Sequence, residues 1–406
     1  MDYIKLKEKY GTPLYLYNVD RMKEVIEQYQ ANFHSTLFDT EIIYASKAFN
    51  IKAMLRLIMR YQLALDVVSL GELFTAKAVG FPMKKIYFHG NNKSYDELKF
   101  AIEENVGIIV VDNLTELKNL EELASTFNRN VEIYLRLNVG IEAHTHKYIV
   151  TSHVDSKFGV LYQSKEYEEM ILVIKKSKHL CLRGFHSHIG SQIFDLSPYQ
   201  ASIKRLVQIV KDFDIPLDIN LGGGFGAFYT EADAPVPFHE VAKVLIHTVE
   251  EELKLQKVRI HKLCIEPGRS IVAEAGQTLY TIGGIKQTPN KLYYFIDGGM
   301  TDNIRPALYQ AVYAANIVGK EKNFKNKIVT IAGKCCESGD IILENALLPE
   351  ASIGDLLVTY STGAYGYSMS SNYNKALTPA VVFVEDEKDE LVVHRQTLAE
   401  LIEREI

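Results

Sequence analysis

The chain has 406 residues, 47% of them hydrophobic and 24% charged, with a formal net charge of −6. That composition supports a large buried core and excludes a disordered chain, and the acidic balance argues against nucleic acid or an anionic membrane surface as partner. No apolar run approaches the roughly 20 residues of a membrane span, and the first residues lack the basic-then-apolar order of a signal peptide.

In chain order, residues 14–17 read as a strand, followed by a helix whose apolar face is Met22, Val25, Ile26 and Tyr29. Eight short apolar segments then recur at 42–45, 63–68, 86–88, 108–111, 132–136, 182–186, 217–220 and 262–265. Their hydrophobicity is continuous rather than alternating, as expected for parallel strands covered on both faces. Between them run helical patterns, such as Ile51, Met54, Leu55, Ile58 and Met59, or Ile203, Leu206, Val207 and Val210. Eight such units predict an α/β fold, a closed (β/α)8 TIM-like barrel spanning residues 23–273, with an open doubly wound sheet as the alternative.

After residue 273 strand-like runs follow one another at 292–296, 328–331, 356–360, 381–384 and 391–393, with Gly283-Gly284 and Gly298-Gly299 read as turns. This predicts a second, β-rich domain of sandwich or barrel type, discontinuous in sequence as 1–22 and 274–406. The acidic run 385–390 reads as a solvated hairpin turn. Cys181, Cys264, Cys335 and Cys336 fit neither a disulfide framework nor a metal motif. Cys181 and Cys264 read as core residues, and the chain as cytoplasmic with reduced thiols.

In such a barrel, chemistry collects at the C-terminal ends of the strands. Those ends carry Ser46-Lys47, Asp66 with Ser69, His89, Asp112-Asn113, Arg136 with Asn138, His186-Ser187-His188, Gly222-Gly223-Gly224 and Glu266-Pro267-Gly268-Arg269. Glycines after a strand let backbone N–H groups approach a phosphate, although a plain turn is an equal reading of that run alone. Lys47, in an otherwise apolar context, suits an amine nucleophile, and an exposed lysine past a strand end is the bland alternative. A lysine, a phosphate cradle and a carboxylate together are what pyridoxal phosphate requires. His144 and His146 form an H-x-H pair without a third ligand of suitable spacing, so no metal site is assigned.

Seven ordered motifs carry a family resemblance over nearly the whole chain. They are Tyr44-Ala45-Ser46-Lys47-Ala48, the run 186–192, Gly222-Gly223-Gly224, Glu266-Pro267-Gly268-Arg269-Ser270, Arg305-Pro306-Ala307-Leu308-Tyr309, Cys336-Glu337-Ser338-Gly339-Asp340 and the run 363–369. The chain resembles the barrel-type (fold type III, alanine racemase-like) pyridoxal-phosphate decarboxylases, and within them the members that act on diaminopimelate. The resemblance implies a lyase that releases CO2 from meso-diaminopimelate to give L-lysine. It implies that Lys47 condenses with the cofactor aldehyde, that His188 stacks on the cofactor ring and that Glu266 keeps the ring nitrogen protonated. Ser191, Gly222, Gly223, Gly224 and Tyr365 would hold the phosphate. It further implies a homodimer with shared active sites, in which Cys336 and Glu337 reach into the partner's site. Cys336 would reprotonate Cα, Glu337 would receive an ammonium, and Arg269, Arg305, Tyr309 and Tyr365 would bind substrate, with Arg269, Arg305 and Tyr309 at its second carboxylate. Cys335 would be structural.

The chain departs from the family at Gly333-Lys334-Cys335, where Gly-Pro is usual, at Thr151-Ser152, where Thr-Gly is commoner, and over 375–379, which lacks the usual arginines. Two other readings stand beside the leading one. The first is decarboxylation of D-ornithine, D-lysine or a carrier-linked amino acid. The second is a regulatory homologue that binds the cofactor without turnover.

Overall fold

The structure is a computed structural model that describes residues 1–141 and 156–406. His144, His146, Thr151 and Ser152 lie outside the described residues. The chain divides into two compact units: Ile26–Gly226 with Pro235–Gly268, and Met1–Val25 with Ala227–Ala234 and Arg269–Ile406. The second unit thus takes in Ala227–Ala234 and the start of the segment after Gly268, which the sequence reading places in the barrel.

In the first unit, eight parallel strands pair in sequence order: Asp39–Ala45, Ala64–Val67, Ile86–Phe88, Ile108–Val111, Val131–Asn138, Leu180–His186, Asp218–Asn220 and Lys262–Ile265. The last pairs back to the first, Lys262 opposite Asp39, so the barrel is closed. All eight coincide with the expected segments. Strands two, three, four and seven are buried at every position, because side chains point alternately into the barrel and outward under the helices. Ile43, Ala64, Tyr87, Ile108, Val110, Tyr134 and Cys264 pack as one cluster. Cys264 is core as expected, whereas Cys181, next to the buried Leu180 at the entry of strand six, is exposed.

Helix Lys52–Arg60 buries Met54, Leu55, Leu57 and Ile58, and Ser197–Val210 buries Ile203, Leu206, Val207 and Val210. Ser69 accepts the N–H of Glu72 at 3.3 Å, and Asn113 that of Glu116 at 2.9 Å, as N-caps of the helices that follow. Two residues that the sequence places among the mouth's polar groups are therefore spent on capping. Among the described residues no helix is long and apolar enough to cross a membrane.

The second unit is a nine-stranded sheet. Its path runs Ile341–Leu348, Lys327–Ala332, Leu292–Ile296, Gly276–Gln287, Leu14–Asn18, Ala380–Glu385 and Lys388–Val393. Leu356–Thr359 pairs with both Gly276–Gln287 and Ala315–Ile317. The opening strand lies antiparallel to Gly276–Gln287 and parallel to Ala380–Glu385. Leu14, Leu16, Leu279, Leu356, Val358, Ala380 and Val382 form its core with Leu6, the i, i+2 spacing marking a single sheet face. Gly283-Gly284 proves to be no turn: it lies within the twelve-residue strand, where the register against Leu292–Ile296 shifts at a bulge. The acidic hairpin is present, with Asp386 and Glu387 at φ 48° and 61°, the two left-handed residues that a tight hairpin turn needs.

Candidate active site

At the C-terminal end of the barrel's first strand, the chain turns into a short 3-10 segment, Ser46–Ala48. Lys47 is exposed there, between buried Ser46 and Ala48. Ser46 donates to Glu72 at 3.1 Å, and the same carboxylate oxygen accepts the Val68 N–H at 2.8 Å. Burial lifts the Glu72 carboxyl to about 7, against the pull of that N–H. Asp66, buried on strand two, is also raised by burial, partly offset by the neighbouring charges of His89 and Lys47.

Glu266 immediately follows strand eight. Its Oε1 accepts from Asn220 Nδ2 at 2.7 Å and from His89 Nε2 at 2.8 Å, and its Oε2 from His186 Nε2 at 3.2 Å. Burial alone would favour the neutral acid. The two imidazoles and their hydrogen bonds outweigh it, and the carboxyl is held well below its usual range. His186 falls to about 4 through burial, so it is a neutral N–H donor at neutral pH.

His188 follows strand six. Its Nδ1 accepts the Gly223 N–H at 3.2 Å, which fixes the tautomer with the proton on Nε2. Burial, then the cationic Lys47 and Arg136, hold this ring well below the ordinary histidine range. The site thus offers a neutral aromatic face beside an amine.

The glycine run is built for close approach. A Cβ at Gly223 would lie 2.1 Å from the Glu266 carbonyl oxygen, and one at Gly224, where φ is +98°, 2.2 Å from the Gly190 oxygen. Two of its three N–H groups are already used, Gly222 donating to Asn220 Oδ1 at 2.9 Å and Gly223 to His188. The Gly224 N–H has no partner among the described residues. Ser191, half-buried, lies in the loop that also carries His188. An amine, an ionised carboxylate, a neutral flat ring and an unspent backbone donor fit the aldehyde, ring nitrogen, ring face and phosphate of pyridoxal phosphate in turn.

In the second unit, Arg269 and Arg305 are both buried. Arg269 Nη1 donates to the Tyr229 hydroxyl at 2.6 Å; Arg305 Nη1 donates to Tyr313 at 2.6 Å and to Tyr229 at 3.4 Å. Tyr365, held at φ 65°, lays its ring 4.9 Å from the Arg269 guanidinium carbon and 5.8 Å from that of Arg305. Tyr309, expected beside these arginines, makes no bond to either, and Tyr313 makes the contact with Arg305 instead. Cys336 and Glu337 are exposed. Their loop is tied down by Cys336 N–H to Asn374 at 3.1 Å, Cys335 N–H to Asp340 at 2.8 Å and Lys334 N–H to Gly298 O at 3.0 Å. The last of these is a bond that the usual proline could not donate. The thiol of half-buried Cys335 is pushed up to about 11 by burial and Asp340.

Lys47, His188, Glu266 and the glycine run therefore gather in one unit, and Arg269, Arg305 and Tyr365 in the other. Glu72, Asn220, Tyr229 and Tyr313 were not singled out from the sequence, and His186 only as a strand-end residue. Tyr229 follows the glycine run by a few residues, but no periodicity or spacing marks it.

The chain matches the family model described as pyridoxal-dependent decarboxylase, pyridoxal binding domain, over residues 22–273. It is 45% identical to the diaminopimelate decarboxylase of Bacillus subtilis, over 100% of this chain and 94% of that one. Among solved structures it is similar to diaminopimelate decarboxylase from M. jannaschii, with TM-score 0.92, 34% identity and coverage of 99% and 94%. It is also similar to the Helicobacter pylori diaminopimelate decarboxylase complexed with L-lysine, with TM-score 0.90, 33% identity and coverage of 99% and 98%.

Proposed function

The chain belongs to the pyridoxal-dependent decarboxylases, and on that premise we propose that it releases CO2 from meso-diaminopimelate to give L-lysine. The observation that carries the reading is Glu266, a buried carboxylate kept ionised by three N–H donors. When bound, pyridoxal phosphate supplies an electron sink for the pair left on Cα as the carboxylate departs. Glu266 makes that sink effective by holding a proton on the ring nitrogen. Lys47 Nζ is the covalent anchor. His188, its Nδ1 pinned by Gly223, keeps one ring face packed and free of water. Ser191 Oγ and the Gly224 N–H, with Tyr365, are assigned to the phosphate. Once CO2 has left, Cys336 Sγ returns a proton to Cα, completing exchange of a C–C bond for a C–H bond.

Substrate choice is assigned to Arg269 and Arg305, the guanidinium pair suited to a second carboxylate, with Glu337 receiving an ammonium. A diamine-forming substrate with a single carboxylate offers nothing to that pair. The exposure of Cys336 and Glu337 supports a working homodimer in which each subunit completes the other's site. We place the reaction in the cytoplasm. The test is CO2 release from meso-diaminopimelate beside D-lysine, D-ornithine and L-ornithine, with Lys47→Ala as control. Release from diaminopimelate alone, lost in the variant, supports the reading. Release from another amino acid overturns the role of the arginines, and bound cofactor without turnover on any substrate points to a regulatory protein.

A further inference from the structure

A phenol oxygen has two lone pairs and one hydrogen. At Tyr229 the lone pairs meet N–H groups of Arg269 and Arg305, at 2.6 and 3.4 Å. The hydroxyl hydrogen is therefore left to donate, and no acceptor for it exists among the described residues. Arg305 shows the same pattern. Both hydrogens of its Nη1 are engaged, by Tyr313 and Tyr229, while Nη2 and Nε have no partner among the described residues. Among the described residues no carboxylate forms an ion pair with Arg305. The two tyrosine rings brace each other edge to face, with centroids 5.4 Å apart at 78°. This cluster is rich in donors and positive charge, and the outer edge of one guanidinium is left open in fork geometry.

We propose that Tyr229 determines specificity for the second carboxylate: it bridges Arg269 and Arg305 at a fixed separation and donates its O–H to the bound carboxylate oxygen. The proposal rests on the reading of the arginine pair as the carboxylate receptor, and adds a residue that orients the pair and touches the ligand. Tyr229 lies in Ala227–Ala234, the segment that leaves the barrel sequence to fold with the second unit. The excursion is thereby given a purpose. Tyr313 pins the other hydrogen of Arg305 Nη1 and is a positioning residue only.

The experiment is isothermal titration of the holoenzyme with L-lysine, which keeps the carboxylate in question, and with cadaverine, which lacks it, alongside steady-state kinetics on meso-diaminopimelate. Tyr229→Phe keeps every ring contact and should fold as the parent does. It is expected to weaken L-lysine about tenfold, from loss of hydrogen bonds to charged groups, with cadaverine unchanged. KM for diaminopimelate should rise by a similar factor while kcat stays within about threefold. Equal weakening of both ligands, or of neither, overturns the role of Tyr229. So does weaker binding of pyridoxal phosphate with L-lysine unaffected, which would make the cluster a phosphate site. Arg305→Ala separates the two levels. If it leaves L-lysine binding intact, the carboxylate receptor itself is wrong; if it abolishes that binding while Tyr229→Phe does not, only the present proposal fails.

Discussion

His186→Gln isolates the acid sensitivity built into the barrel. The buried imidazole has its pKa lowered to about 4, by burial above all, whereas a histidine in the unfolded chain titrates near 6.5. As pH falls below 6.5 the unfolded chain takes up a proton that the folded one refuses, so stability is lost through this window and levels off below about 4. The linkage relation gives a loss of about 2 kcal/mol at pH 5 and about 3 kcal/mol at pH 4. Glutamine can still present an amide N–H to Glu266 but cannot titrate. Its packing cost is a constant offset, and its melting point should fall less steeply with pH. For a unit of this size, about 2–4 °C per kcal/mol makes the gap in slope about 4–8 °C between pH 7 and pH 5. Thermal melts of both cofactor-free proteins by circular dichroism would show it. That range avoids the acid limb of Glu266, whose depressed pKa adds stability that is lost only below the ordinary carboxylate range. Parallel melting curves across pH 5–7 would refute the account of a neutral, buried His186.

Gly223→Ala forces a Cβ to 2.1 Å from a backbone oxygen, so a loss of at least about 3 kcal/mol is expected; an unshifted melting point with full cofactor absorbance would contradict the close-approach reading. Asp340 accepts the N–H groups of Met300 at 2.6 Å and Cys335 at 2.8 Å. Asp340→Asn should therefore loosen the Cys336 loop and lower kcat about tenfold or more with a smaller change in KM, and an effect confined to KM would count against a role for that loop in proton return. If two subunits share each site, mixing equal amounts of inactive Lys47→Ala and Cys336→Ala proteins under subunit exchange should restore about one quarter of parental activity, whereas no recovery would mean self-contained subunits.

The barrel was legible because each strand, buried on both faces, is written as a continuous apolar run, and because strand-end residues announce a mouth. The long strand Gly276–Gln287 was hidden by its two glycines, which mark a bulge as readily as a turn. Lys47, His188 and Glu266 stood out through motif and strand position. Tyr229 and Tyr313 did not, since a tyrosine that holds an arginine looks in sequence like any other buried aromatic. Ser69 and Asn113 were misleading for the opposite reason: capping residues sit at the same strand-to-helix turns where catalytic groups gather.

The strand Leu14–Asn18 has both of its neighbours far downstream, in Gly276–Gln287 and Ala380–Glu385. During synthesis at about 5–20 residues per second, this segment therefore emerges on the order of tens of seconds before either partner exists. Meanwhile the whole barrel is being made behind it. A Leu-Tyr-Leu-Tyr run with both edges unpaired is an adhesive surface on the ribosome-bound chain. Slowing translation between residues 20 and 276 is therefore expected to lower the yield of soluble protein more than slowing it afterwards.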